Sequence, residues 1–457
     1  YMKALVISTL TNQFFLMFLA IATGLLIGKI KIKSFSLGVS GGIFTGIIIG
    51  YIATNWAHHA QEGTAGYSNA TRILSTGVVA QAFFTFFLLL FLVSIGLKVG
   101  STIGSIFKRY GIKFVIIGVI IPVISMVVTV ICYNFFLSSN PSITAHETVG
   151  MYAGAMTTTP GYGTALDASD NVDYARVYEE ASAEDKEKML VKIDSSGALT
   201  LDNTPSLNEE QIETYKSAAS AAVSLGYTVA FPIGVLVIVV MLSLIPKVCR
   251  IDMAKETELY QKELDAIEDT GKKITPQPLN FMIMALVVVI GIMVGNITIP
   301  LGSLGSFSLG DAGGVLLAAL ILSYIGKIGP LNFRMDPKSL NVIYQMGLIF
   351  FMAVVGLRYG YDVVSALAGS GVALAVSAIF VEGIAVIVAY FVGRKLFKLN
   401  WLILSGAIAG GCTSAPGLGA AISSTGSEEP TVGYGAAQPF AILANVVLCM
   451  LYFNFML

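Results

Sequence analysis

Apolar residues run along this chain in blocks long enough to cross a bilayer. A membrane-spanning helix needs ~20 mostly apolar residues. Such blocks fall at 11–28, 35–53, 77–97, 113–136 and 221–245 in the first half. In the second half they fall at 279–297, 309–326, 340–357, 369–392 and 432–455. We name them spans a to e and a′ to e′. Two further stretches, 149–169 and 405–425, are too rich in Gly, Thr, Ser and Pro for ordinary spans. The predicted fold class is an all-α polytopic membrane protein.

The two halves repeat each other. FSLGVSGG (Phe35 to Gly42) recurs as FSLGDAGG (Phe307 to Gly314), and FLVSIGLKVG (Phe91 to Gly100) as FMAVVGLRYG (Phe351 to Gly360). AGAMTTTPGYGTAL (Ala153 to Leu166) recurs as AGGCTSAPGLGAAI (Ala409 to Ile422), and Gly226-Tyr227 with Pro232 as Gly433-Tyr434 with Pro439. Gly24 and Gly28 of span a match Gly291 and Gly295 of a′, small-xxx-small pairs that let helices approach closely. Pro160 and Pro416 lie 256 positions apart, but Pro232 and Pro439 only 207. The first half therefore holds about 49 extra residues near 171–219, with eleven acidic and five basic side chains. This insert reads as an exposed extramembrane arm, in which Ser206 and Glu209 form a capping box opening a helix into span e. The expected domains are a first membrane repeat at 1–245, a linker helix at 246–278 and a second, inverted repeat at 279–457.

Charge orients the spans, because Lys and Arg favour cytoplasmic loops. If 149–169 and 405–425 are re-entrant hairpins, 19 basic residues lie inside and 8 outside. If both cross the membrane, the split is 13 to 14. The hairpin threading is preferred. It places both termini and the insert outside, the linker inside, and relates the halves by inversion. Inverted repeats with midplane sites are the layout of secondary transporters, and an elevator-type motion of the hairpin unit is expected.

Each hairpin has arms of ~10 residues, or ~15 Å, enough to reach the middle of a ~30 Å core. Pro160 and Pro416 fall at the tips, where a helix tolerates proline in its first turn. Thr159 is the expected N-cap of the first tip; the second has Ala415 there, after Ser414. Gly161 and Gly417 leave the backbone open to close approach. Two half-helix N-termini near the midplane favour an anion, and the hydroxyls of Thr157, Thr158, Thr413 and Ser414 would orient it. A lone motif of this kind is most simply a kinked helix crossing. Its duplication at matching positions argues for a site.

Ionisable residues inside spans are functional candidates by default. Lys98 and Arg358 occupy matching positions at the ends of c and c′; they either snorkel to the interface or pair with an anionic substrate. Glu382 lies midway along d′, where a charge costs at least ~2.5 kcal/mol. It either carries a coupling ion or pairs internally. Asp311 reads as a helix cap. Gln81, Asn341, Gln345, Gln438 and Asn445 either line the path or link helices, linking being preferred, and His58, His59 and His146 read as solvated loop residues.

Composition agrees with this picture. Of 457 residues, 55% are hydrophobic and 12% charged, about half the ~25% charged usual in soluble domains. A net charge of −1 argues against nucleic acid as a partner. The four cysteines form no C-x-x-C pair, no metal-ligand cluster stands out, and no cofactor is expected. There is no phosphate-binding loop for ATP-driven transport and no hydrolase signature.

The motifs around Pro160 and Pro416 resemble the duplicated membrane domain of the aspartate:alanine exchanger family, in both copies and in order. The resemblance implies an antiporter of small carboxylates or acidic amino acids in a bacterial inner membrane, with a small anionic substrate. A homodimer is expected by the same analogy. The family usually carries cytosolic domains between its halves, where this chain has a short helical linker. The layout is also similar to sodium/glutamate symporters, so coupling to Na+ or H+ is the alternative. An ion channel is a third reading, disfavoured because the two hairpins are not identical.

Overall fold

The computed structural model describes residues 2–29, 41–138, 140, 143–194, 196–265, 274–300, 306–307, 309–368 and 371–456. Most of the motif at 35–42, with Lys31 and Lys33, lies outside them.

The chain opens with α1 (Met2–Leu10), α2 (Gln13–Lys29) and α3 (Gly41–His58), followed by the short polar α4 (Tyr67–Thr76). Spans c and d then form one element, α5 (Gln81–Cys132). Helical backbone thus continues through 98–113, where a loop was expected. That stretch holds no proline, and Lys98, Lys108, Arg109 and Lys113 favour the helix enough to carry Gly100, Gly104 and Gly111 through it. The first hairpin follows as α6 (Ala145–Ala155) and α7 (Thr159–Asp170). The insert supplies α8 (Tyr174–Glu180), α9 (Ala183–Ile193) and the start of α10 (Glu209–Val248), which continues as span e.

The linker contributes α11 (Met253–Asp265). The second half repeats the order with α12 (Phe281–Gly295), α13 (Gly310–Ile325), α14 (Pro337–Ala368) and α15 (Val372–Phe391). The second hairpin is α16 (Trp401–Gly411) and α17 (Ala415–Thr425), and α18 (Pro430–Met456) ends the chain. Two ribbons of two-residue strands, 299–307 and 327–332, are small additions to the helical class. Six helical segments among the described residues have the length and apolarity to cross a membrane. Spans a, b, a′ and b′ are shorter, at 17, 18, 15 and 16 described residues.

Contacts repeat as the sequence does. α2 packs on α3 as α12 packs on α13, and α3 meets α14 as α13 meets α5. Each hairpin's first arm lies along its following span, α6 on α10 and α16 on α18. The pairing is close because Gly226 faces the backbone of Glu147, and its match Gly433 faces the backbone of Ile403. A β-carbon at either would collide with main chain. Large apolar side chains such as Phe18, Ile52, Phe86, Met293 and Phe380 point outward, as a lipid-facing surface requires.

The insert and the linker are docked rather than free. Around Tyr174, Tyr178, Met189, Leu190, Tyr215 and Ala219 the insert has a small core of its own. Its α9 reaches the first hairpin through Lys192, which donates to Glu147 at 2.8 Å. The capping box opening α10 is Asn208 with Gln211, not Ser206 with Glu209. The helix begins two residues later than the sequence motif suggests, because Asn208 is an equally good cap. At the other hairpin, the Glu256 carboxylate of α11 accepts both guanidinium donors of Arg394 and the N–H of Trp401, the first residue of α16. Each hairpin base is therefore held by a polar helix, one from the insert and one from the linker.

His146 departs from expectation. It is 1% exposed, not solvated. As the second residue of α6 it is covered by the insert: Tyr174 Oη lies 2.9 Å from its Nε2, and Tyr215 and Phe453 pack on the ring.

Candidate substrate-binding site

Both hairpins turn by the same local device. α6 ends at Ala155, and Thr157 takes a left-handed conformation with φ 48°. The Thr158 N–H then reaches back to the Ala153 carbonyl at 3.0 Å. In the second hairpin Thr413 has φ 51°, and Ser414 N–H reaches Ala409 O at 2.9 Å. This is the usual αL helix ending, but glycine is the residue that normally fills it. A β-branched residue there is strained.

The hydroxyls explain why threonine occupies both positions. Thr157 Oγ1 donates to the Cys412 carbonyl at 3.0 Å, and Thr413 Oγ1 donates to the Met156 carbonyl at 2.8 Å. Each tip thus satisfies an orphan C-terminal carbonyl of the other hairpin's first helix. The two tips, 256 residues apart in sequence, are latched by a reciprocal pair of hydrogen bonds.

The N-caps are Thr158 and Ser414, which accept from Gly161 N–H at 3.3 Å and Gly417 N–H at 3.2 Å. This corrects the expectation that Thr159 caps the first tip; Thr159 and its match Ala415 are the first residues of their helices. The left-handed residue turns the chain one step earlier than the proline suggests. It also means the Gly161 and Gly417 amides, expected to be open to a ligand, are already capped. Access differs between the tips: Thr159 is exposed and Pro160 half-buried, while Pro416 and Gly417 are buried.

A cavity of about 520 Å³ opens where the tips meet. Thr157, Thr159, Pro160 and Thr413 line it from the hairpins, with Gln438 of α18 and Asp311 of α13 opposite. Asp311 does not cap α13, whose N-cap is Leu309. Its carboxylate accepts from Asn296 Nδ2 at 2.8 Å. Sequence reasoning missed it as a lining residue, because a carboxylate at the start of a helix looks like a cap.

Lys98 and Arg358 do not line this cavity. Lys98 pairs with Glu428, in the loop after α17, and donates to Asn341. Arg358 donates to the Val79 carbonyl, before α5. Neither meets the tips, because each is held by a polar partner elsewhere. Asn445 accepts from Tyr152 Oη at 2.6 Å, a link between helices as expected. Glu382 is fully buried, and neither carboxyl oxygen has a hydrogen-bond partner. No metal-ligand cluster occurs among the described residues.

A family model described as Predicted Permease Membrane Region (Asp-Al_Ex) matches residues 16–247 and 283–454, breaking at the linker. The chain belongs to this family. The resemblance of its tip motifs to the aspartate:alanine exchangers is therefore shared across most of its length. Among its relatives, an uncharacterized transporter of Bacteroides thetaiotaomicron is 38% identical over 164 residues, covering 36% of this chain and 31% of the relative. An uncharacterized transporter of Geobacter sulfurreducens is 34% identical over 170 residues, 37% of this chain and 31% of its own length. One from Rhodopirellula baltica is 38% identical over 165 residues, 35% and 30% respectively. The matched segment spans about a third of each of these relatives. Its place in this family and the six long apolar helices among its described residues make it a multi-pass membrane protein.

Proposed function

We propose that the chain is a secondary transporter exchanging small amino acids, acidic ones included, across a bacterial inner membrane. The observation behind this reading is the cavity at the latched tips, with the hydroxyls of Thr157, Thr159 and Thr413 and the N-terminus of α7 on one wall and the Asp311 carboxylate on the other. A helix N-terminus suits the substrate carboxylate. Asp311 suits an ammonium group at the other end of the same molecule. A dicarboxylate without an amino group would meet Asp311 unfavourably, so the site favours an amino acid over succinate-like acids. In this reading the halves are inverted repeats, and the hairpin unit moves as one body past α2, α3, α12 and α13. Pro160 lies beside the cavity and Pro416 is packed away, which fits a state open on the side of the first hairpin. Symport with Na+ or H+ is a second reading, kept because Glu382 is buried without a partner.

The test uses purified protein in liposomes loaded with L-aspartate, L-alanine, succinate or buffer. We expect labelled aspartate or alanine uptake to rise with internal amino acid. Asp311→Asn should weaken apparent amino-acid affinity by at least about tenfold, the worth of a ~1.4 kcal/mol contact. Pro160→Ala should reduce uptake far more than the amount of folded protein. Uptake confined to cations or sugars, or insensitive to internal amino acid and to both variants, overturns the reading.

A further inference from the structure

Glu382 stands directly behind the tip of the second hairpin. Its side chain on α15 faces the Cys412 thiol, without a hydrogen bond of normal geometry. Cys412 is the residue whose carbonyl receives the Thr157 latch, and the next residue, Thr413, lines the cavity. From Cys412 polar groups continue to the cavity on a second route. Tyr434 lies near Cys412, its hydroxyl accepts from Gln438 Nε2 at 3.1 Å, and Gln438 is a lining residue. The carboxyl is thus one residue layer from the site, screened by the tip.

Its surroundings offer an ion nothing. α5, α6, α10 and α14 all pack on α15, yet Cys412 is the one titratable group that faces the carboxyl among the described residues. Among the described residues no lysine, arginine or histidine acts on it. A carboxylate buried this way has at most a weak thiol donor and no cation among the described residues, and bears most of the desolvation cost. A sodium ion would demand several oxygen ligands converging on the same point, and the group that faces the carboxyl is a thiol. A proton removes the charge and needs no further ligands.

We propose that Glu382 is a proton-binding residue whose protonation is coupled to occupancy of the cavity at the hairpin tips; this rests on the transport reading above. With the tips latched as observed, the side chain is held as the acid. When the tip of the second hairpin shifts, the O–H bond breaks. The proton passes to cavity water along the Tyr434–Gln438 side, and the carboxylate is left hydrated. The reverse step reloads it. Substrate and proton then compete or co-bind through the same tip, and one proton accompanies the conformational cycle.

Two measurements decide this. The first needs no substrate: infrared difference spectra of the purified protein in lipid, titrated with acid and base. Wild type should show the C=O stretch of a buried carboxylic acid, and Glu382→Gln and Glu382→Met should lack it. Methionine fills the volume without a polar group, so it remains informative if the amide disturbs folding. The second is the pH dependence of thermal stabilisation by L-aspartate, L-alanine and succinate. A single linked proton changes apparent affinity up to tenfold per pH unit where Glu382 titrates. Both variants should bind with a flat pH profile. An acid band that persists in the variants overturns the proposal, as does a wild-type profile that is flat or that the variants reproduce. If none of the probes binds, the transport reading fails, and the infrared result still decides whether Glu382 holds a proton.

Discussion

Acid should undock the insert from the first hairpin, and His146 sets the range. Burial beneath Tyr174, Tyr215 and Phe453 pushes its imidazole from the ordinary 6.5 down to about 4, with Glu147 opposing this and Lys192 adding to it. Docked, the ring is neutral; undocked, it is free to charge near 6.5. The undocked state therefore binds the extra proton, and docking weakens as pH falls below 6.5. The loss grows by about 1.4 kcal/mol per pH unit and reaches about 3 kcal/mol near pH 4. Glu147 adds to the loss lower down. Burial alone would raise its pKa, but hydrogen bonds from Lys192 and Thr144 prevail and hold it below the usual carboxylate range. Its contribution is present above its ordinary value and disappears as pH falls through the depressed one. The two windows are thus successive.

Spin labels on Glu187→Cys in α9 and Ser138→Cys on the membrane body, both exposed sites, would report docking as a distance. The background is Cys249→Ser, which removes the exposed native thiol among the described cysteines. We expect a narrow distance distribution near neutral pH that broadens between about pH 6 and 4. His146→Phe keeps the aromatic packing and cannot titrate, so its distribution should stay narrow until Glu147 protonates. A wild type that remains narrow to about pH 4, or a phenylalanine variant that opens as wild type does, would refute the reasoning.

Three further outcomes follow from the same structure. Thr157→Val and Thr413→Val keep the strained shape but orphan a buried carbonyl, costing about 1–3 kcal/mol each. Thr157→Gly also relieves ~1–2 kcal/mol of left-handed strain, so it should melt above Thr157→Val; the opposite order would dismiss the latch. Gly226→Ala and Gly433→Ala force a β-carbon into the backbone of Glu147 and Ile403 and should abolish folded protein in the membrane, whereas Gly163→Ala, with open space around it, should be tolerated. For the threading, a cysteine at Glu187 should react with an impermeant reagent applied to intact cells and one at Glu258 should not; reversed labelling would invert the proposed topology.

How much was legible in the chain depends on the range of the forces involved. Local pattern declared the spans, the repeat, and the turn at each Pro-Gly pair. Hydropathy, proline's fixed φ and capping chemistry act within a few residues, so a linear reading captures them. Even there the caps slipped by one position at Thr158 and Ser414, because the strain at Thr157 and Thr413 is justified only by a hydroxyl reaching the other hairpin. The remaining site was decided in three dimensions. Lys98 and Arg358 were reasonable partners for an anion until Glu428 and the Val79 carbonyl were found beside them. Asp311 became a lining residue only once α13 was set against the tips, and His146 became buried only once the insert folded back over it. Whether a charged side chain is solvated, paired or stranded depends on neighbours hundreds of residues away. Periodicity along the chain carries no record of those neighbours; packing between the two halves does.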